Sequence, residues 1–478
     1  MRSYVWCFAF AFTSAAAVCV ASPPDQTNTV SLESYLEQVK TKHDGFKASE
    51  FLVDSTHLIE SEVGLLTEPS FFSSGTMTKD SKQNPFFPYT RFESTMLQTG
   101  IQDQTEYGTT ARLSYNYTTL NYVGTQIPKF YQTGPLLEVS QSFWRNGFGS
   151  EVASQKEQLQ AYNEAQKFAE SYRLKSYLLE AESNYWRLAL AREATQVSKD
   201  AVDRAKRIFD YSQKKANLGL ADNSDFLQAK AALAARKLDL RVSEEDEQNA
   251  SRAFNSSRGS DSDSVTEHLA QLNEFAGKEL EKKLVRQKSM QTRDDVKSAQ
   301  EQSRATIAAA KISQEKDKPT LEVFGQIGTN GFDTDQTASI NQSFGTSKPT
   351  EVIGVRLNFP LNFSATHDAN AGWREQQVAA KYNLERKIFE QERDWHDLNQ
   401  KFDNAMTRYE MFETLSQAQK AKLQNEKDRH SKGRTTLVNV INFEVDYLVS
   451  ELSRIRTLAE ILQIHAQLKL FGDTYESR

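Results

Sequence analysis

The chain has 478 residues, a formal net charge of −6 and a mean hydropathy of −0.64. A charge this small over such a length, without a block of basic residues, argues against nucleic acid as a partner. The polar composition, with no long apolar run after the first 21 residues, excludes a helical membrane protein.

The first segment, Met1–Ala21, is a short apolar run that follows a single early positive charge at Arg2. Small residues lead to Ala21, so the segment is predicted to be a secretory signal peptide that is cleaved after Ala21. A membrane anchor is the alternative, but it needs a longer apolar span. Both cysteines, Cys7 and Cys19, lie inside the segment. We therefore expect no disulfide and no thiolate metal site in the mature chain.

Residues 22–90 begin with helical patterns and end in polar sequence. Val30–Lys42 has the pattern of a short amphipathic helix, and Phe46–Leu66 carries a second helical pattern. Ser70–Tyr89 is rich in Ser, Lys, Asn and Pro, which predicts an irregular connection.

From Arg91 onward the period of the pattern changes from helical to two. In Thr110–Asn121 apolar and aromatic side chains alternate with polar ones, and the alternation returns at Leu137–Trp144 after a loop. Residues 91–145 are therefore predicted to hold a pair of strands. A half-buried sheet in a soluble protein would alternate in the same way, but strand lengths near ten residues, aromatic residues toward the strand ends and the signal peptide favour lipid.

Long helical sequence follows the strands. Ser150–Leu218 contains no Pro or Gly, Gly219 interrupts it, and helical sequence resumes to about Asn255. Residues 146–255 thus predict a long helical hairpin. After a polar segment, Ser256–Ser264, further helix is predicted from Val265 to Lys316.

The same order returns in the second half. Residues 319–361 contain two alternating segments, and Trp373–Phe471 is helical sequence broken once, at Gly433. Apolar residues before this break recur at spacings of three and four, as in the seam of a coiled coil. The seam residues are Trp395, Leu398, Phe402, Ala405, Tyr409 and Phe412. At about 1.5 Å per residue, the arm before the glycine would be roughly 90 Å long.

The chain therefore contains an internal duplication of strands, long helix, glycine and shorter helix. Gly219 and Gly433 are 214 positions apart, and Trp144 and Leu361 are 217 apart. Four predicted strands are too few to close a barrel, which needs about eight, and open strand edges are not tolerated in lipid. Membrane strands would therefore require several copies of the chain to share one barrel.

Several short segments, in this order and duplicated, carry a resemblance that covers essentially the whole mature chain. They are Gln141–Gly147 (QSFWRNG), Leu357–Leu361 (LNFPL), Arg293–Val296 with Ala305–Lys311 and Lys318–Leu321, and the glycine tips Leu218–Leu220 and Lys432–Thr435. With these segments the chain resembles the outer-membrane efflux protein family, the TolC-like proteins. Asp294 departs from the pattern, because the family usually has Pro at that position.

The resemblance implies a mixed fold of α-helices and a transmembrane β-barrel. A homotrimer would form a twelve-stranded barrel in outer-membrane lipid and a twelve-helix tunnel in the periplasm of a Gram-negative bacterium. It would serve as the passive exit duct of a tripartite efflux pump or a type I secretion system, together with a periplasmic adaptor and an inner-membrane transporter. The alternative is a soluble periplasmic coiled-coil adaptor or scaffold, which would have one helical hairpin and no membrane-length strand pairs.

The resemblance also implies a division of the chain. The segments are a signal peptide (1–21), N-terminal periplasmic helices and a connection (22–90), a first strand pair (91–145), a first long hairpin (146–255), equatorial and returning helices (256–318), a second strand pair (319–361), a second long hairpin (362–471) and a C-terminal tail (472–478).

The two glycine tips are expected to be helix-turn-helix corners, in which glycine takes a left-handed conformation. The resemblance adds a second role, as the tunnel entrance and the surface that contacts the adaptor. The implied contact residues are Gly219, Leu220, Gly433 and Thr436.

The resemblance places a periplasmic gate just past the second tip. Asn439 and Asn442 stand where the family archetype has aspartate rings, and their spacing of three puts them on one helical face. We therefore hypothesise that this gate is held by hydrogen bonds and responds weakly to cations. The other gate positions are Asp225 and Gln228 in the first repeat, His430 at the place of a gating tyrosine, and Arg434 next to the place of a gating arginine. A solvated polar residue near a helix end is the alternative interpretation of each.

Charged residues on the predicted strands alternate away from the apolar positions, and we expect them to face the barrel lumen. They are Arg112, Glu138, Glu322 and Arg356. Ordinary strand charges that face water would lie on the same side.

The sequence contains no pattern that indicates catalysis. The seven histidines are scattered and form no HExxH pair, and there is no Walker loop and no G-x-S-x-G elbow. We expect no enzyme activity, no cofactor and no metal site, and the sequence does not name the transported substrate.

Overall fold

The computed structural model describes residues 29–82, 89–218, 222–275, 284 and 289–472. The predicted signal peptide 1–21, the tip residues Gly219 and Leu220, and positions 473–478 of the predicted tail lie outside the described residues.

Three short helices open the described chain: α1 (Leu32–Lys42), α2 (Asp44–Ile59) and α3 (Glu62–Leu65). The first two are the helices that the sequence predicts. Tyr35 of α1 is fully buried, stacks on Phe254 with ring centroids 4.0 Å apart, and donates a hydrogen bond of 2.9 Å to its carbonyl oxygen. The aromatic pair fixes the N-terminal helices against the long helices.

Among the described residues, five longer helices form the body of the protein: α4 (Ser150–Asn217), α5 (Asn223–Ser257), α6 (Asp294–Lys316), α8 (Phe363–Ser431) and α9 (Leu437–Leu468). The label α7 belongs to a short helix in a strand connection, Gln336–Gln342. Helix α4 has 68 residues and is therefore roughly 100 Å long. Helices α4 and α5 pack as one hairpin and α8 and α9 as another, where the sequence predicts them.

The core lies along the helix seams that the spacing of three and four predicts. Phe402, Ala405 and Tyr409 of α8 are buried, together with Leu458 and Ile461 of α9. Small residues such as Ala405 let the helices approach closely, and the larger ones fill the space between successive turns.

A single antiparallel sheet caps one end of the long helices. Its strands are β2 (Ser70–Asp80), β3 (Arg91–Gln104), β4 (Thr109–Val123), β5 (Phe130–Ser142), β7 (Thr320–Thr329) and β9 (Pro349–Asn358), in that order across the sheet. A short strand, β8 (Gly331–Asp333), pairs with β5, and α7 packs beside it with Ser339 buried against β5. Strand β5 leads into α4, and β9 leads into α8.

The sheet differs from the sequence prediction in its number of strands. Ser70–Tyr89 was expected to be irregular, but Ser70–Asp80 forms a strand, and residues 91–145 hold three strands rather than a pair. The described residues thus contain six strands of ten or more residues, not four. Strand β2 was missed because its serines, threonines and lysine on both faces resemble a loop, although Phe71 and Met77 lie on one face and Phe72 on the other.

The segment between α5 and α6 also differs from the prediction. Helix was expected from Val265 to Lys316, but the described helix begins at Asp294. Before it, His268–Leu269 forms a short strand, β6, that runs parallel to β1 at Thr29–Val30, and Leu272–Phe275 is a single 3-10 turn. Val265 and Leu272 are buried in the main core, so tertiary packing rather than helix propensity decides this segment.

The strand-to-helix junctions are set by asparagine caps. Asn146 has a left-handed backbone with φ 54°, and its Oδ1 accepts from the backbone N–H groups of Glu151 and Val152 at 3.0 and 3.3 Å. Gly149 follows with φ 83°, and a Cβ there would lie 1.6 Å from the carbonyl oxygen of Glu106. In the second repeat Asn362 caps α8 by accepting from the N–H of Ala365 at 3.1 Å.

Candidate functional site

One face of the sheet carries a continuous apolar row. Phe71, Ile101, Leu113, Leu137 and Ile327 are successive neighbours across β2, β3, β4, β5 and β7. Their side chains are between 39% and 74% exposed in the single chain. An exposed apolar row on this scale marks an interaction surface rather than an ordinary water-facing strand surface.

The opposite face is polar and carries the four predicted lumen residues. Arg112 pairs with Glu138 in the register of β4 and β5, and Glu322 pairs with Arg356 in that of β7 and β9. Arg356 and Glu322 form an ion pair of 2.9 Å. Gln326 donates to Glu138 at 2.8 Å, and the register places it in the same row as Arg112. The structure therefore brings all four charges together on one face.

The second hairpin turns in five residues at its tip. Gly433 has φ 68° and donates its N–H to the carbonyl oxygen of His430 at 3.0 Å. The N–H of Arg434 donates to the carbonyl oxygen of Arg429 at 2.9 Å. This left-handed glycine closes the end of α8. Thr436 is the residue before α9, and the side chains of Arg434 and Thr436 are exposed.

The amide of Asn439 belongs to a small hydrogen-bonded network at this tip. Its Nδ2 donates to Oγ1 of Thr435 at 3.2 Å, and that hydroxyl donates to the carboxylate of Glu426. Arg429 pairs with the same carboxylate at 3.3 Å. Asn442 is exposed one turn further along the helix. Asn439 is therefore oriented by its own hairpin, whereas Asn442 projects from its surface.

His430 lies where the two hairpins meet. Its ring is 5.8 Å from that of Tyr211 on α4. Burial lowers the pKa of His430 and Lys215 lowers it further, while Asp225 and Glu426 act in the opposite direction with smaller effect. These effects together favour the neutral form of the imidazole. Of the two first-repeat gate positions, Asp225 lies close enough to act on His430, and Gln228 is exposed.

A buried charge cluster ties the hairpins together near the tips, and the sequence analysis missed it. Glu444 of α9 pairs with Arg204 of α4 and with Lys427 of α8, the latter at 3.3 Å. The side chain of Glu444 is 6% exposed. The signal was present in the sequence, because Glu444 continues the seam spacing of Leu437, Val440 and Leu448.

These groups border a cleft between the hairpins. The cleft has a volume of about 410 Å³, and its walls come from α4 on one side and from α8 and α9 on the other. Arg204, Tyr211, Lys427, His430 and Val440 are among its lining residues. The lining of the cleft thus combines apolar side chains with cationic and neutral polar groups.

Asp294, which departs from the family pattern, is buried at the start of α6. It accepts a hydrogen bond of 2.9 Å from Ser171 and pairs with Lys175 at 2.7 Å and Lys297 at 3.1 Å. Burial raises the pKa of Asp294, but Lys175 and the other donors outweigh it, and the pKa falls below its ordinary value of 3.8. A charged cluster thus occupies the position of the family's proline.

Two other features are absent from the residues that the structure describes. No helix in the described ranges is both long enough and apolar enough to cross a membrane. Among the same residues, no group of three or more His, Cys, Asp or Glu side chains is arranged to hold a metal ion.

Comparison with solved structures defines the class of fold. The outer-membrane channel OprN is similar with a TM-score of 0.68 at 14% identity, over 92% of this chain and 90% of its own. The outer membrane protein VceC from Vibrio cholerae gives 0.67 at 14% identity, over 92% and 96%. The CmeC outer membrane channel of Campylobacter jejuni gives 0.63 at 14% identity, over 93% and 86%. No family model and no curated protein matches the sequence.

The chain therefore has the fold of the TolC-like outer-membrane channels, and the resemblance seen in the sequence is confirmed at the level of the fold. In each of these comparisons the similarity extends over at least 92% of this chain. The roles of the individual site residues remain predictions.

Proposed function

We propose that this chain is an outer-membrane exit duct, which conducts substrates passively from the periplasm to the outside of a Gram-negative cell. The observation that carries the proposal is the two-sided sheet at the end of helices roughly 100 Å long. One face of the sheet is apolar and exposed, and the other presents paired charges. A wall between lipid and a water-filled pore requires this division.

The free energy of the apolar row supports a lipid environment. A Leu, Ile or Phe side chain gains roughly 1.5–3 kcal/mol when it leaves water completely. Five partly exposed side chains in one row would therefore gain on the order of 4–8 kcal/mol per copy in lipid. That gain is available only if the sheet lies in a membrane or against another apolar surface.

The proposed assembly is a homotrimer whose helices continue the pore as a periplasmic tunnel. Unpaired backbone groups at a strand edge are not tolerated in lipid, so the edges of β2 and β9 must be paired, and identical copies related by rotation pair them most simply. The hairpin tips are then the tunnel entrance. They would meet a periplasmic adaptor and, through it, an inner-membrane transporter of an efflux pump or type I secretion system.

In this assembly Asn439 and Asn442 line the entrance, and the gate is held by amide hydrogen bonds. Support comes from the orientation of Asn439 by Thr435 and Glu426. The lowered pKa of His430, whose ring lies beside Tyr211, disfavours a positive charge at the contact between the hairpins. The entrance would therefore have few carboxylates to attract divalent cations.

The test is membrane fractionation followed by gel electrophoresis with and without heating. An outer-membrane protein that migrates as a trimer when unheated, and as a monomer after boiling, is the expected result. A soluble periplasmic monomer would overturn the duct and favour the coiled-coil scaffold, for which the long helical hairpins alone would suffice.

A further inference from the structure

The hairpin formed by β2 and β3 is fully integrated into the sheet. Strand β2 pairs with β3 along its whole length, from Ser70 opposite Gln102 to Asp80 opposite Phe92. Strand β3 in turn pairs with β4 from Arg91 opposite Val123 to Gln104 opposite Thr110. A hairpin held by this much continuous ladder is part of the sheet and not a flap at its edge.

The apolar row of the sheet and the polar contacts of Arg112 both continue across this hairpin. On the apolar face, Phe71 and Ile101 extend the row of Leu113, and Phe71 is 74% exposed. On the polar face, Arg112 donates to Gln102 at 2.9 Å and lies over the ring of Phe72 at 4.7 Å. The same division between lipid and water therefore applies to β2 and β3 as to the other long strands.

The topology leaves β2 and β9 at the two edges, running in opposite directions. Strand β2 begins at the end of the sheet where the helices attach, and β9 returns to that end before α8. Each neighbouring pair between them is antiparallel. A rotated copy can therefore place its β2 beside β9 and continue an antiparallel ladder around a ring.

We propose that β2 of one copy pairs with β9 of the next, so that the pore wall of the trimer has six strands per copy and eighteen in all. This inference rests on the trimeric duct proposed above and changes the number of strands in the wall of its pore. Barrel diameter grows roughly linearly with strand number, so the exit would be about 1.5 times as wide as that of a twelve-stranded wall. Barrels of about this size enclose an open aqueous channel.

The alternative is a wall of four strands per copy, in which the β2–β3 hairpin lies outside the ring and β4 meets β9. That arrangement would break the ladder between β3 and β4 and separate Arg112 from Gln102. It would also leave Phe71, Ile101 and Leu97, all strongly exposed, without a shared apolar environment. The two arrangements differ in which strand touches β9, and this difference can be measured.

Cysteine cross-linking in the full-length protein distinguishes a β2–β9 contact between copies from a β4–β9 contact. The sequence has two cysteines, Cys7 and Cys19, both in the predicted signal peptide, so introduced thiols have no competitor in the mature chain. Ser74→Cys and Thr76→Cys on β2 are each combined with one cysteine on the same face of β9. The β9 series is Thr350→Cys, Val352→Cys, Arg356→Cys and Asn358→Cys. Gly354 is omitted because a Cβ there would lie 2.5 Å from the ring of Phe324.

The matched control is Asn116→Cys on β4, combined with the same β9 series. Asn116 lies on the same face as Ser74 and in the same row, through Gln98. The expected result is a disulfide-linked ladder of dimer and trimer for one or two of the β2 pairs, removed by reductant, and none for the β4 pairs. Cross-links from β4 to β9, or trimers with no β2 cross-link at any pair, would overturn the eighteen-strand wall.

The same gels separate failure of this inference from failure of the duct itself. If unheated samples contain the heat-sensitive trimer but the β2 pairs stay unlinked, the proposed contact between β2 and β9 is wrong and the proposed duct is unaffected. If no membrane-bound trimer forms before any cysteine is introduced, the proposed function fails, and the eighteen-strand wall fails with it.

Discussion

Replacing Glu444 by Gln should loosen the contact between the two hairpins near their tips. The carboxylate is 6% exposed and pairs with Arg204, which is 18% exposed, and with Lys427, which is 31% exposed. Removing one partner of a buried pair costs about 3–5 kcal/mol, because the remaining charge stays buried. Arg204 and Lys427 keep some contact with water, so we place the cost at roughly 3 kcal/mol, the lower end of that range.

The assay is hydrogen exchange of the backbone amides in the first two turns of α9, measured in the detergent-solubilised protein. A change of about 1.4 kcal/mol is tenfold in an equilibrium. A loss of roughly 3 kcal/mol should therefore raise the population of locally opened tips, and with it the exchange rate, by about a hundredfold. Exchange in the strands should remain unchanged.

Glu460→Gln is the matched control, because Glu460 is also on α9 and pairs with an arginine of another helix. Its partner is Arg408 at 2.8 Å, but the two side chains are 45% and 51% exposed. Such a pair is worth at most about 1 kcal/mol, so exchange of the amides around Glu460 should rise less than about fivefold. Equal effects of the two variants would refute the reasoning from burial.

A double replacement tests the cause further. Arg204→Met together with Glu444→Met removes the two most buried charges of the cluster and keeps most of the side-chain volume. The third charge, Lys427, is 31% exposed and can be solvated. Exchange should return close to that of the unchanged protein, because apolar replacements of buried pairs are often neutral. If the double variant opens as readily as Glu444→Gln, lost packing and not the unpaired charge is responsible.

Four further results are expected. Asp294→Asn should lower the free energy of unfolding by roughly 2–4 kcal/mol at pH 7 and make stability depend less on pH in acid. Thermal unfolding measures both effects. Gly149→Ala should cost at least about 2 kcal/mol because of its positive φ and the nearby carbonyl oxygen. Arg356→Glu should shift ion selectivity toward cations in bilayer recordings while leaving the trimer intact. Asn439→Asp with Asn442→Asp should make single-channel conductance sensitive to block by divalent cations.

The acid dependence of Asp294 follows from the direction of its shift. Its pKa in the folded protein lies below the ordinary 3.8, so its stabilisation is fully present above about pH 5 and is lost as the pH falls through 3.8 toward the folded value. A variant with Asn at this position should therefore lose less stability than the unchanged protein over that interval. An unchanged acid profile would exclude Asp294 as a source of the dependence.

The other three have their own controls. Gly147→Ala is the control for Gly149, since a Cβ at Gly147 meets nothing within 4 Å, and it should unfold like the unchanged protein. For Arg356, loss of the trimer on gels would argue against a position facing the pore. For the asparagine pair, conductance that divalent cations leave unaffected would contradict the hydrogen-bonded gate.

The long-range pattern of the chain could be predicted from the sequence because it repeats. The seam spacing around Phe402 and Tyr409 and the glycine break at Gly433 correspond to the helices and the turn of the structure. The strands β4 and β7 alternate over most of their length, and their charged and amide positions Arg112, Glu322 and Gln326 do share one face. Period and duplication depend on many residues at once, so single exceptions do not obscure them.

The features that were missed depend on contacts rather than on period. Strand β2 has serine and threonine on both faces, and it becomes recognisable as a strand when β3 lies beside it. The segment from Val265 folds around Tyr185, whose hydroxyl oxygen accepts a hydrogen bond of 3.1 Å from the N–H of Ala270. No local sequence pattern predicts that contact. Glu444 fits the seam spacing but has the wrong polarity, and its cations come from two other helices.

The asparagine-capped junctions fix the direction in which the long helices leave the sheet. Helix α4 extends roughly 100 Å from the sheet, so a rotation of about one degree at its base displaces the far end by about 1.8 Å. In the first repeat that base is fixed by Asn146, Phe148 and Gly149, whose backbones all have positive φ. The second junction is capped by Asn362, and the residues around that cap have no such series of positive φ values. We therefore expect the angle between helix and sheet to vary more at the base of α8 than at the base of α4.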